Sequence, residues 1–281
     1  MKKFLFYLAL LFSAAQARAE SVILMIGDGM SEGHIDCVAK DKQLFFKTKT
    51  PNLYLRTASA NNVVTDSAAA ATAYSCGIKT NNEYLGIDAA ENSYLTIAEE
   101  MADKGKAVYI LSSDSDYGAT PSAFYAHTTS RHNEKDIRKY LNEARKKMDI
   151  RLNIGDISAA TDELLTELTA QDKEFFVMIE EAHIDKCSHR NEYQCMEDAL
   201  VRFDSAVQKV FAFADSQKAV KVFVTADHET GGLTDECRFT LHQHTNRDVP
   251  LYSNYDFSLS NGKMENIELY KYMKKILLNE N

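Results

Sequence analysis

The chain has 281 residues, 32 Lys and Arg against 41 Asp and Glu, a formal net charge of −9 and 45% hydrophobic residues. This is an ordinary globular composition, neither disordered nor collagen-like, and its acidity argues against a nucleic-acid partner, which needs a basic surface. The length allows one domain or two, and eleven Gly with three Pro leave little material for a flexible linker.

Lys2 and Lys3 precede an apolar run from Phe4 to Ala15, and Ala17-Arg18-Ala19 has the small-x-small form of a cleavage site. Residues 1–19 are therefore expected to be a signal peptide and residues 20–281 one domain. The alternative is an N-terminal anchor, but the run is short for a bilayer and no later stretch is long and apolar enough. A short, lysine-rich leader points to a bacterial periplasm or exterior, with no membrane attachment after cleavage. Cys37, Cys76, Cys187, Cys195 and Cys237 all follow the leader. Export permits disulfides, and an odd count leaves at least one thiol free or paired between chains, with the connectivity open.

The first element after the leader is the apolar run Ser21 to Ile26, which ends in Gly27-Asp28-Gly29. Continuous apolar runs of this length suit buried parallel strands. Thr65-Asp66-Ser67 then opens an alanine-rich helix, Ala68 to Tyr74, with Gly77 near its end. A helix-like stretch closes at Gly105, and Ala107 to Leu111 follows as a strand. A helical pattern covers Glu134 to Met148. Glu174 to Ile179 is another buried strand, followed by a short helix over Ile184 to Asn191 and a longer one over Glu192 to Phe213. Lys221 to Ala226 is a further strand, and Glu265 to Leu278 a C-terminal helix. Strands alternating with helices predict an α/β fold with a mainly parallel central sheet and helices on both faces.

In such folds ligands gather beyond the carboxyl ends of the strands. Asp28 follows the first strand, Glu180 the Phe175 strand, and Asp227 with His228 the Phe223 strand. Alone, an Asp between glycines is a turn former and a single His a structural residue. Together they bring carboxylates and an imidazole to one edge. Asp185 and His189 are four apart, so a helix sets them on one face, spaced either to chelate a metal or to form a surface ion pair. His242 and His244 fall on a loop before Val249-Pro250. Mixed His and carboxylate ligands suit zinc, and an oxygen-only set suits magnesium. Ser and Asp before a helix are ordinarily N-caps; alternatively Ser67 sits at the positive helix end, where backbone N–H groups hold a phosphate.

These residues fall in six segments: VILMIGDGM (22–30), VTDSAAAATAYSCGIKT (64–80), ATPSAFYAHTTSR (119–131), IEEAHIDKCSH (179–189), VTADHETGGL (224–233) and HTNRDVP (244–250). In content and order they resemble the alkaline phosphatase family. The resemblance implies hydrolysis of small-molecule phosphate monoesters at alkaline pH, through a phosphoserine on Ser67, at a site of two zinc ions and one magnesium. It places one zinc on Asp185, His189 and His244 and the other on Asp28, Asp227 and His228. The magnesium falls to Asp28, Thr120 and Glu180. Arg131 would grip two phosphate oxygens as a fork, a geometry lysine cannot reproduce, and Lys186 would contact phosphate through water. A homodimer is left open.

Two positions and one link depart from the family pattern. Gly118 stands where relatives often carry an acidic residue or a histidine beside the magnesium. Glu181 stands where glycine is common, which would add a carboxylate near that site. The link from Thr234 to Gln243 is too short for a large insertion, which points to a stripped-down, open enzyme. The competing readings are a phosphodiesterase or mutase of the same superfamily, and a secreted metal- or phosphate-binding protein without turnover. A sulfatase is disfavoured, because Cys-x-Pro-x-Arg is absent around Ser67.

Overall fold

The computed structural model describes residues 20–171, 173–217, 219–257 and 262–280, so the expected leader lies outside the described residues. In chain order the elements are β1 (Ser21–Gly27), α1 (Glu32–Val38), a 3-10 turn (Phe45–Thr48), β2 (Leu53–Arg56), α2 (Ser67–Cys76) and α3 (Ile97–Asp103). Next come β3 (Ala107–Ser112), α4 (Ala119–Ser122), α5 (Glu134–Ala144), β4 (Asp149–Arg151), α6 (Ile157–Thr169), β5 (Phe175–Glu181) and α7 (His183–His189). The chain continues through α8 (Tyr193–Ser216), β6 (Val220–Thr225), β7 (Glu229–Thr230), β8 (His244–Thr245), β9 (Val249–Ser253), β10 (Lys263–Glu265) and α9 (Asn266–Leu278).

Every residue of β1 and β5 is buried, as their unbroken apolar runs require of strands flanked on both sides. β1 pairs in parallel with both β5 and β6, and β3 pairs in parallel with β5 and β4. The eight-stranded sheet has the order β10-β2-β9-β6-β1-β5-β3-β4. Only β9 runs against its neighbours, β6 and β2. One set of helices (α2, α3, α4 and α9) packs on itself and on β1 and β3; another (α6, α7 and α8) packs on itself and on β1, β5 and β6. The expected mainly parallel α/β sandwich is therefore observed, with a mixed edge made by β2, β9 and β10.

Local chemistry sets the helix that matters most for function. The Asp66 side chain accepts from the Ala69 N–H at 3.0 Å and caps α2, so Ser67 is the first helical residue rather than the cap. At the other end Gly77 takes φ +70°, and a Cβ there would lie 2.3 Å from the Tyr270 ring of α9. Disulfides join Cys37 to Cys237 and Cys187 to Cys195, leaving Cys76 as a buried free thiol. Among the described residues no helix is long and apolar enough to cross a membrane.

Candidate metal centre

Asp28 follows β1, Glu180 lies near the end of β5, and Asp227 and His228 follow β6; these three strands are neighbours in the sheet. Their carboxyl ends deliver the four side chains to one edge. α7 adds Asp185 and His189, β8 adds His244, and α2 presents Ser67 from its first turn.

Two groups of ligand atoms result, each lying within 4.8 Å: Asp185 with His189 and His244, and Asp28 with Asp227 and His228. In the first group the Nε2 atoms of His189 and His244 are 3.0 Å apart, and Asp185 Oδ1 lies 3.3 Å and 3.5 Å from them. In the second, His228 Nε2 lies 3.2 Å from Asp227 Oδ2 and 3.7 Å from Asp28 Oδ1. The His228 and His244 rings stack with centroids 3.5 Å apart, so the groups adjoin.

Hydrogen bonds behind the rings settle which nitrogens face the centre. His189 Nδ1 donates to the His242 carbonyl at 2.6 Å, and His244 Nδ1 donates to the Thr65 carbonyl at 3.0 Å. Thr230 Oγ1 is 2.5 Å from Asp185 Oδ1, which can only accept. The hydroxyl proton goes there, so the Thr230 oxygen accepts from His228 Nδ1 at 3.2 Å. All three imidazoles in their neutral forms thus turn a bare Nε2 lone pair toward the same centre. Two such lone pairs at hydrogen-bond distance with no proton between them repel, and a cation between them removes the conflict.

The carboxylates say the same. Asp28 Oδ1, Asp227 Oδ2 and Glu180 Oε1 are buried without a hydrogen bond, as is the Thr120 hydroxyl oxygen. Buried polar atoms are seldom left so, and an ion is one of the few partners that answers several at once. The two imidazole–carboxylate groups fit zinc, while the oxygens of Asp28, Thr120 and Glu180 fit magnesium.

The charges respond to this crowding. Burial, then repulsion from Asp227 and Asp185, pushes Asp28 well above the ordinary carboxylate range. Burial and the charge of Asp185 raise Asp227 to about 6, and burial with the charge of Asp114 raises Glu180 to about 8. Burial drives His228 well below its usual value, with the neighbouring His244 adding to it. Asp185 goes the other way: burial would raise it, but wherever a proton stands in for a cation on these imidazoles, the hydrogen bond from His244 and the charges of the rings hold it down. Metal-free, the site has too much buried negative charge, and cations relieve that.

Ser67 Oγ lies 3.2 Å from His228 Nε2, facing the second group, and the residue is buried at the positive end of α2. Arg131 is held beside it by Asp66, whose Oδ2 accepts from Arg131 Nη1 at 3.2 Å and from the Glu83 N–H at 3.0 Å. Asp66 therefore caps the helix that presents Ser67 and anchors the guanidinium. Replacing Asp66 with Ala is expected to cost about 1 kcal/mol of stability through the lost cap. It should also weaken competitive inhibition by inorganic phosphate, read from denaturant melts and inhibition constants. Parental inhibition would show that Arg131 needs no anchor.

All the residues expected to hold metals converge on one end of the sheet. Lys186 is instead engaged by Asp114, its ammonium paired with that carboxylate. Glu181 corrects the sequence reading. Successive strand residues point to opposite faces, so Glu181 turns away from Glu180. Its carboxylate accepts from Ser113 Oγ at 2.8 Å and the His183 N–H at 3.0 Å, and faces Arg202 of α8 at 3.8 Å. It adds no charge to the oxygens of Asp28, Thr120 and Glu180. Thr230 and the second task of Asp66 escaped the sequence reading. Their signals were only a threonine two residues after His228 and an aspartate already explained as a cap.

The family model for alkaline phosphatase matches residues 19–159 and 154–276. Alkaline phosphatase 4 of Bacillus subtilis is 26% identical over 294 residues, covering 78% of this chain and 63% of that protein. The chain thus spans somewhat less than two thirds of the length of that relative. Escherichia coli alkaline phosphatase is 37% identical over 135 residues, 44% of this chain and 29% of its own. The structure of the alkaline phosphatase from the Antarctic bacterium TAB5 superposes with a TM-score of 0.80 at 25% identity, covering 93% of this chain and 98% of that one. A variant of that enzyme with magnesium bound superposes with a TM-score of 0.78. The six segments, the sheet that gathers them and the match along nearly the whole described chain agree: this chain belongs to the alkaline phosphatase family.

Proposed function

We propose that the protein is a metal-dependent phosphomonoesterase that hydrolyses small-molecule phosphate monoesters through a phosphoserine at Ser67, with two zinc ions and one magnesium. One observation carries the reading. A buried serine at a helix N-terminus lies 3.2 Å from His228 Nε2, in a centre that also gathers His189, His244 and several orphaned carboxylate oxygens, with the Arg131 guanidinium anchored to the helix cap. Bound cations would neutralise the phosphate dianion and lower the pKa of oxygens they touch.

The chain's own groups do the rest. Arg131 pairs with nonbridging oxygens and orients the phosphorus toward Ser67. Ser67 Oγ forms the new P–O bond as the ester P–O bond breaks, and the leaving alkoxide takes up a proton to depart as the alcohol. At rest the Ser67 hydroxyl donates to His228 Nε2; on attack its proton passes to solvent, and the α2 N-terminus stabilises the serine oxygen. Water then opens the phosphoserine, releasing inorganic phosphate and restoring Ser67. Because the serine oxygen must be deprotonated, turnover should rise toward alkaline pH. Two disulfides support placing the protein in an oxidising compartment, the periplasm or exterior of a bacterium.

Steady-state hydrolysis of an aryl phosphate monoester, the corresponding diester and a sulfate ester tests the reading side by side. The monoester should be hydrolysed fastest by at least about a hundredfold, since the Arg131 fork and the cations match a dianion. A diester preference would move the protein to another branch of the superfamily, and a monoester rate unaffected by chelator would exclude the metal-dependent reading.

A further inference from the structure

Gly118 has an ordinary backbone, φ −53° and ψ 133°, so no left-handed turn demands glycine there. What excludes a side chain is its neighbour: a Cβ at Gly118 would lie 2.6 Å from both Cγ and Oδ2 of Asp114. The space beside α4 is filled by a carboxylate from the turn after β3.

That carboxylate is firmly held. Asp114 Oδ1 accepts from the Ser115 N–H at 2.6 Å and pairs with Lys186 Nζ, and the Asp114 carbonyl accepts from the Asn153 N–H at 2.7 Å. The Asp114 N–H donates at 2.8 Å to Ser112 Oγ, and this same hydroxyl donates to the Glu180 carboxylate. Asp114 and Glu180 are thus fixed to each other through one serine. Both hydrogen bonds of the Asp114 carboxylate fall on Oδ1, and Oδ2 points to the Gly118 space. Close by, Glu180 Oε1, Asp28 Oδ1 and the Thr120 hydroxyl are buried and unpartnered.

We propose that Asp114, entering through the space left by Gly118, supplies the outer carboxylate of the third cation site, and that glycine stands at 118 because that carboxylate is there. The inference rests on the reading of Asp28, Thr120 and Glu180 as the magnesium set. Magnesium keeps several of its waters, so a carboxylate need not touch the ion to hold it: it can orient those waters. Lys186 fixes the carboxylate's direction, so its ion pair serves the cation site from behind.

Magnesium titrated calorimetrically into the zinc-loaded protein, with elemental analysis after dialysis, tests this. Asp114→Asn keeps an acceptor for Ser115 but loses the charge, and magnesium affinity should fall by about tenfold or more, as loss of an outer-shell partner does, with zinc content unchanged. The double variant D114G/G118D returns a carboxylate to the same space from the other backbone position, and should recover the parental affinity. Glu180→Gln should abolish magnesium uptake. Parental affinity in Asp114→Asn, alongside loss in Glu180→Gln, overturns the role of Asp114 alone. Parental affinity in Glu180→Gln shows that the magnesium reading has failed. Should Asp114→Asn not fold, the double variant decides: folded but without recovered affinity, it overturns the proposal.

Discussion

Ser67→Ala should lower turnover of an aryl phosphate by at least about a thousandfold, the scale expected when an enzyme loses its nucleophile, while zinc content and melting temperature stay near parental values. The substitution is structurally mild. Ser67 opens an alanine-rich helix whose cap is Asp66, and its hydroxyl makes one hydrogen bond, to His228 Nε2. Alanine suits the helix and leaves the metal-holding atoms untouched. A large loss of rate without a loss of fold or metal therefore isolates the hydroxyl. Turnover within a few-fold of parental would assign the nucleophile elsewhere, with water the first candidate.

Removing the metals should destabilise the protein more as the pH rises. Asp227 and Glu180 sit at about 6 and about 8 in the metal-free fold, and Asp28 is also well above its ordinary value. Carboxylates with raised folded pKa values favour the fold when protonated. That contribution is complete below the unfolded values, near 4, and is lost as the pH climbs through about 6 and about 8. Cations take the place of those protons in the loaded protein, so its stability should hold. Exhaustive chelation at pH 8.5 should then cost on the order of 3 kcal/mol, the scale of uncompensated buried charge, or roughly 10 °C in melting temperature. At pH 5.5 the gap should be much smaller. A gap that is absent, or that shrinks with rising pH, would contradict the charge balance derived for the site.

The sequence exposed the parts of the molecule whose physics is local. β1 and β5, and β6 apart from Lys221, are buried, so their residues form nearly continuous apolar runs, and the residue after each run falls at the ligand edge. That made Asp28, Glu180, Asp227 and His228 visible before the family resemblance was needed. Asp185 and His189 showed through helical spacing. β2, β9 and β10 were hidden because they are short, and Pro250 within β9 reads as a breaker although it pairs opposite Tyr54. Relations across the fold were equally hidden. Thr230 matters because one hydroxyl serves Asp185 and His228 at once, and Asp66 because one carboxylate serves a helix and an arginine. Gly118 looked like a missing side chain until Asp114 was seen in its place. Glu181 was misplaced because neighbouring strand positions share a sequence address but not a face.

The most direct test of the central reading is a peptide mass spectrum of the metal-loaded protein, quenched in acid during turnover of a phosphate monoester. Acid halts hydrolysis and preserves a serine phosphate. The expected spectrum shows one phosphoryl group on the tryptic peptide carrying Ser67, absent when the Ser67→Ala protein is treated alike. Turnover with no phosphorylated Ser67 peptide under conditions that trap such esters, or a phosphoryl group on another residue, would contradict it.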